Sequence, residues 1–185
     1  MLAAAAPAHA ERLFVYGDSM AVGTKPYLPD KLPDWNVRQD VGYARHAVTT
    51  PRALRERRHL APVIHLSLGT VDDPARPRRF RRAVRRIMRI IGPERCVVWT
   101  NIARPHRKTR QGTADYSRWG KLNRVLEDEA GRRDNLVIAD WLAMVKAHPE
   151  WMSTFDGTHV SKRGYRARAR LVARAVRGCA EPPVP

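Results

Sequence analysis

Short apolar runs alternate along this chain with longer stretches in which apolar residues recur every three or four positions. Leu13–Tyr16 (LFVY) is a compact apolar run closed by Gly17, the pattern of a buried strand. Asn36–Val41 reads as a weaker strand. Val63–Leu68 (VIHLSL), Cys96–Thr100 (CVVWT) and Leu136–Ala139 (LVIA) read as three more, the first followed by Gly and the last by Asp140. Between them Phe80, Val84, Ile87, Met88 and Ile91 fall on one face of a helix predicted over Arg78–Ile91, which Gly92-Pro93 stops. Two further helices are predicted over Tyr116–Ala130 and Arg163–Arg177, each followed by Gly. Pro26–Pro33 reads as a proline-containing connection and Ala103–Gly112 as a basic loop. Five strands separated by helices predict an α/β protein with a parallel sheet covered on both faces. Such sheets carry their sites at the carboxyl ends of the strands.

The chain has 185 residues, suited to one domain, and 43% of them are hydrophobic, which excludes wholesale disorder. No run is long and apolar enough to span a bilayer. Lys and Arg number 35 against 18 acidic residues, a net charge of +17. That charge has two readings: a field that attracts polyanions, or a composition biased towards arginine. The arginines of the 78–91 helix flank an apolar stripe, so a surface helix packed on the sheet is favoured over a nucleic-acid helix. No P-loop, zinc spacing or RNA-binding aromatic motif is present, and nucleic acid is not an expected partner. His46, His59, His65, His106 and His148 are scattered, so neither metal nor cofactor is implied. His65, inside the third strand, is expected to pack and make one hydrogen bond.

The start, MLAAAAPAHA, ends in an Ala-x-Ala pattern that fits the tail of a signal peptide or a disordered terminus. The chain therefore divides into residues 1–10, a single domain over 11–179, and a tail over 180–185. Export is expected, with a cytoplasmic location as the alternative, and the protein is expected to be a monomer.

Gly17-Asp18-Ser19-Met20 follows the first strand. A serine there is placed as a nucleophile, although Asp and Ser are also common helix caps. Asp156-Gly157-Thr158-His159 opens the last predicted helix. An imidazole can take the serine proton if a carboxylate holds its other nitrogen, and an Asp-x-x-His pair in a tight turn supplies both. Gly69-Thr70-Val71-Asp72 follows the third strand and Gly42 the second. All four segments are predicted at one rim of the sheet.

In these four blocks the chain resembles the SGNH, or GDSL-type, hydrolases, from about Leu13 to Arg177. The resemblance implies a flavodoxin-like three-layer α/β/α sandwich with a five-stranded parallel sheet. It implies Ser19 as nucleophile, His159 as general base and acid, and Asp156 as its orienter. The oxyanion would be held by the backbone N–H groups of Ser19 and Gly42. Asp140-Trp141 and Pro149-Glu150-Trp151 are similar to SGNH domains attached to membrane acyltransferases that O-acetylate cell-wall glycans. Where the family carries an oxyanion-binding Asn, this chain has Val71, which donates nothing; Thr70 or an ordered water would replace it, and loss of one donor typically costs ~10²–10³ in kcat.

Three functions follow. The first is an esterase or acyltransferase on O-acyl, above all O-acetyl, esters of a small molecule or glycan, held near an anionic cell-wall polymer by charge. The second is a lipid or general small-ester hydrolase, ranked lower because no lid-like apolar insertion is seen. The third is a catalytically weakened, polyanion-binding relative. Finally, Cys96 opens the fourth strand at the rim opposite the site and Cys179 follows the last helix. The topology brings them close enough for a disulfide in an oxidising compartment.

Overall fold

The computed structural model describes residues 11–57, 59–108, 114–153 and 156–180. Residues 1–10, expected as a signal-peptide tail or a disordered terminus, and nearly all of the 180–185 tail lie outside them. Five strands, β1 (Glu11–Gly17), β2 (Trp35–Val41), β3 (Val63–Ser67), β4 (Cys96–Thr100) and β7 (Leu136–Ala139), form one parallel sheet in the order β2-β1-β3-β4-β7. The helices are α1 (Ser19–Thr24), α2 (Thr50–Arg55), α3 (Pro77–Ile91), α4 (Ser117–Ala130), α5 (Trp141–Ala147) and α6 (Lys162–Ala180). The basic loop is described as far as Lys108. Its described part includes β5 (Arg107–Lys108), which pairs antiparallel with β6 (Ala114–Asp115).

Alternation along the strands builds two cores, because successive side chains point to opposite faces. Phe14, Tyr16, Ile64, Leu66, Val97 and Trp99 face the layer of α2, α3 and α4, where Phe80, Val84, Ile87 and Ile91 meet them. Leu13, Val15, Val63 and Val98 face α6, which contributes Val172, Ala173 and Val176. His65 sits on this second face, fully buried. Its Nε2 bonds the Thr100 hydroxyl at 2.8 Å, and burial beside Arg168 depresses its pKa to about 3, so it is neutral. The weak pattern of β2 has a plain cause: β2 is an edge strand and none of its residues is fully buried.

Two arginines of α3, Arg81 and Arg85, act structurally on the outer side of the first core. Glu129 of α4 is completely buried, and Arg81 (3.2 Å), Arg85 (2.9 Å) and Arg133 (2.6 Å) all bond its carboxylate. Those charge-assisted bonds fasten α3 to α4 and hold the Glu129 pKa down against burial, which acts in the opposite direction.

Cys96 and Cys179 are bonded to each other, with Cα atoms 5.8 Å apart, at the rim opposite Ser19. The bridge ties the end of α6 to the start of β4 across 83 residues of sequence. In the chain-entropy picture a loop of that length is worth about 4.5 kcal/mol. Replacing both cysteines by serine should lower the unfolding free energy by about 2–4 kcal/mol, measured by urea denaturation. Thiol titration of the unreduced wild type should find none free.

Candidate active site

β1 runs directly into the turn that presents Ser19. Asp18 caps α1, its Oδ1 accepting from the Met20 N–H at 3.0 Å, and the Asp18 N–H donates to the Ser67 carbonyl at 2.9 Å. The end of β1 is thereby laced to the end of β3. Gly17 permits the approach: a Cβ there would lie 2.6 Å from the Cβ of Ala21 and 2.8 Å from that of Ser67.

The second half of the site comes from the segment before α6. Asp156 Oδ1 accepts from the N–H groups of Thr158 (2.9 Å) and His159 (3.0 Å), an Asx-type turn that places Gly157 at φ +61°, where glycine is favoured. The Ser153 N–H bonds the His159 carbonyl at 2.8 Å, and the Ser161 N–H bonds the Trp151 carbonyl at 2.7 Å, pinning the turn from both sides. His159 Nδ1 bonds Asp156 Oδ2, and His159 Nε2 lies 2.9 Å from Ser19 Oγ. Burial opposes ionisation of Asp156, yet the bonds from the imidazole and the two N–H groups bring its pKa down to about 2. The fold therefore unites three side chains separated by up to 140 positions, joined in one hydrogen-bonded row Ser19–His159–Asp156.

Gly42 departs from its expected role. Its N–H donates to the Gly17 carbonyl at 3.0 Å, continuing the β1–β2 ladder, and has no capacity left for an oxyanion. Two residues on, Ala44 is the one described non-glycine residue with a positive φ, +52°. Its N–H has no protein partner among the described residues, and neither has that of Ser19. The turn was missed because alanine does not announce a left-handed backbone. The loop that follows is held by Asp72, the last residue of the block after β3. Buried Asp72 accepts from the Ala47 N–H at 2.8 Å, and burial raises its pKa.

Thr70 and Val71 complete this rim. The Thr70 carbonyl accepts from Arg104 at 2.7 Å, while the Arg104 guanidinium lies 4.6 Å over the Trp119 ring. Val71 lines a cleft of about 320 Å³ with His46, Val48, Thr49, Arg79 and Phe80. No asparagine takes over at Val71. Asn101 bonds Asp140 and the Leu142 N–H, Asn123 bonds Ile102, Asn135 bonds the Gly92 and Arg95 carbonyls, and Asn36 lies near the start of β2 at the other rim. Among the described residues no group of three or more His, Cys, Asp or Glu side chains is arranged to hold a metal ion.

Beneath the serine lies a buried cation that sequence patterning gave no reason to expect. Arg168 of α6 donates to the hydroxyls of Thr24 (3.0 Å) and Ser67 (2.9 Å), and the Ser67 hydroxyl is 3.4 Å from Asp18 Oδ1. Burial lowers the Arg168 pKa to about 10, with the Asp18 charge pulling the other way, so it stays a cation at neutral pH. Burial likewise pushes Asp18 up, opposed by Arg168 and the Met20 N–H. Removing one member of such a set leaves the rest uncompensated, so Arg168→Met should cost about 3 kcal/mol of stability in urea unfolding. The same change in an Asp18→Asn background should cost less.

No protein-family model matches the sequence, and no functionally curated protein does. Solved structures do. The C-terminal catalytic domain of Streptococcus pneumoniae peptidoglycan O-acetyltransferase A is 17% identical, with 92% of this chain and 94% of that domain covered at a TM-score of 0.76. A lipase/acylhydrolase from Enterococcus faecalis is 18% identical, covering 95% of this chain and 100% of that one, TM-score 0.73. A member of the lipolytic G-D-S-L family from Veillonella parvula is 13% identical, covering 89% and 97%, TM-score 0.70. With its five parallel strands between two helical layers, this chain has the fold of the SGNH, or GDSL-type, hydrolases.

Proposed function

We propose that the protein is a serine-nucleophile esterase or acyltransferase acting on O-acyl esters, with Ser19, His159 and Asp156 as its triad. The observation that carries this is the 2.9 Å contact between Ser19 Oγ and His159 Nε2, with Asp156 on the far ring nitrogen. In the first half-reaction Ser19 Oγ attacks the ester carbonyl and its proton passes to His159 Nε2. Ionised Asp156 fixes the tautomer with the proton on Nδ1 and stabilises the imidazolium. Collapse of the tetrahedral intermediate breaks the bond to the alcohol, which leaves with the proton from His159. Water or an acceptor hydroxyl then reverses these steps on the acyl-Ser19. Backbone N–H groups of Ser19 and Ala44 are the proposed oxyanion donors, since both lack a protein partner among the described residues.

The acyl group is read as acetyl and the carrier as a glycan. Support comes from the Asp140-Trp141 and Pro149-Glu150-Trp151 segments and from the likeness to a peptidoglycan O-acetyltransferase domain. The Cys96–Cys179 bridge supports an oxidising compartment and hence export. No helix among the described residues is long and apolar enough to cross a membrane.

A fluorophosphonate probe should label the wild type and fail to label Ser19→Ala. His159→Ala should label at least about a hundredfold more slowly, the scale of a lost general base. Equal labelling of wild type and Ser19→Ala overturns the triad. Turnover of 4-nitrophenyl acetate should follow the same order. Val71→Asn should raise kcat on that ester at least about tenfold by supplying a third donor. An unchanged kcat would mean that residue 71 does not face the oxyanion.

A further inference from the structure

The solvent side of α6 is composed almost wholly of arginine. On its described part the exposed side chains are Lys162, Arg163, Arg166, Arg170, Arg174 and Arg177. At 100° per residue the five arginines lie within an arc of ~80°, and they span about 21 Å along the axis. None forms an ion pair with a described residue. Arg166 lies 5.5 Å over the Tyr27 ring, and Arg177 donates to the Lys31 carbonyl.

This arrangement opposes helix stability. Like charges recur at i, i+4 from Arg166 to Arg170 to Arg174, each pair costing about 0.2–0.5 kcal/mol. Lys162 and Arg163 sit in the first turn, where no acid offsets them, against the helix dipole. On α3 Arg81 and Arg85 bond Glu129, whereas exposed Arg82, Arg86 and Arg89 of the same helix form no ion pair with a described residue, which makes them the internal control for the α6 strip.

We infer that the outer strip of α6 is a docking track for a linear acidic polysaccharide, which it leads towards Ser19. This rests on the proposed esterase reading for its destination: the track starts at Lys162, three residues after His159, and runs away from the site. Its arginines are spaced by about 4.5–6 Å along the helix, comparable to one sugar unit. The strip presents no exposed aromatic for base stacking, since the one large exposed hydrophobic residue described is Tyr43 on another loop. It presents no exposed apolar residue to insert into a bilayer.

The test is binding of polygalacturonate, with neutral dextran, poly(dT) and anionic lipid vesicles alongside, to Ser19→Ala protein so that turnover does not intrude. Polygalacturonate should bind in a salt-dependent manner and dextran should not. Combining Arg166→Gln, Arg170→Gln and Arg174→Gln should weaken binding at least tenfold. The slope of log Kd against log salt should fall by about 2, at ~0.7 per charge removed. Arg170→Gln alone should give about a third of that slope change. The matched triple Arg82→Gln, Arg86→Gln, Arg89→Gln on α3 should change binding less than twofold. Equal losses in the two triples, or no loss in the α6 triple, overturn the inference, as does tighter binding of poly(dT) or vesicles. In the otherwise wild-type background the α6 triple should keep its rate on 4-nitrophenyl acetate and show a raised KM on acetylated polygalacturonate. Failure of wild type to turn over either ester overturns the esterase reading, whereas the binding arms judge the track.

Discussion

Asp18, Ser67 and Arg168 meet inside the protein where the ends of β1 and β3 come up against α6. Each belongs to a different element, and each is needed in place by the others. Asp18 caps the helix that carries Ser19, while Arg168 lies on the helix that begins just after His159. A polar junction of this kind is costly to bury and restricts the geometries open to the elements that carry it. The separation between Ser19 and His159 is therefore set by a rigid link beneath them as well as by the surface turn. The disulfide acts at the other end of α6, so that helix is fixed to the sheet at both rims.

Much of this was legible in the chain. β4 and β7 fall on Cys96–Thr100 and Leu136–Ala139 as the apolar runs predict, and α3 and α4 begin within one residue of expectation. Buried strands in a parallel sheet have little freedom to look like anything else, since both faces must be apolar. Short elements were not legible. α1, α2 and α5 have six or seven residues each, too few for a helical period to show above loop composition. The β5–β6 pair has two residues per strand and no apolar alternation.

The rim divides along the same line. Ser19, Asp156 and His159 could be singled out because their chemistry is rare in combination and the topology assigns each to the same edge. Gly42 was the natural choice for the second loop, since glycine usually marks the special backbone. Here the ladder with Gly17 uses it, and the left-handed turn falls on Ala44, whose small side chain bears the φ of +52° at modest cost. Arg168 was hidden for the opposite reason. In a helix with seven basic residues between Lys162 and Arg177, nothing in the sequence separates the one that points inward from those that face water. Position on the helical wheel does so only once the packed face is known: Arg168 shares it with Val172 and Val176.

Val71 bears on what kind of reaction the site favours. An asparagine donor would stabilise negative charge on the carbonyl oxygen in both half-reactions, whatever the acceptor. Without it the proposed oxyanion donors are backbone N–H groups, one on Ser19 and one on a loop held by Asp72 through Ala47. In the proposed reading those donors belong to the backbone, and their number would limit the rate. A site of that kind gains most from positioning the ester closely before chemistry begins, since binding made by remote parts of a substrate can offset a weak electrostatic cradle. In the proposed reading such contacts would come from the cleft lined by Val48, Val71, Phe80 and Arg79. Small esters that reach none of these contacts would then be the poorest substrates, although they report the nucleophile most directly.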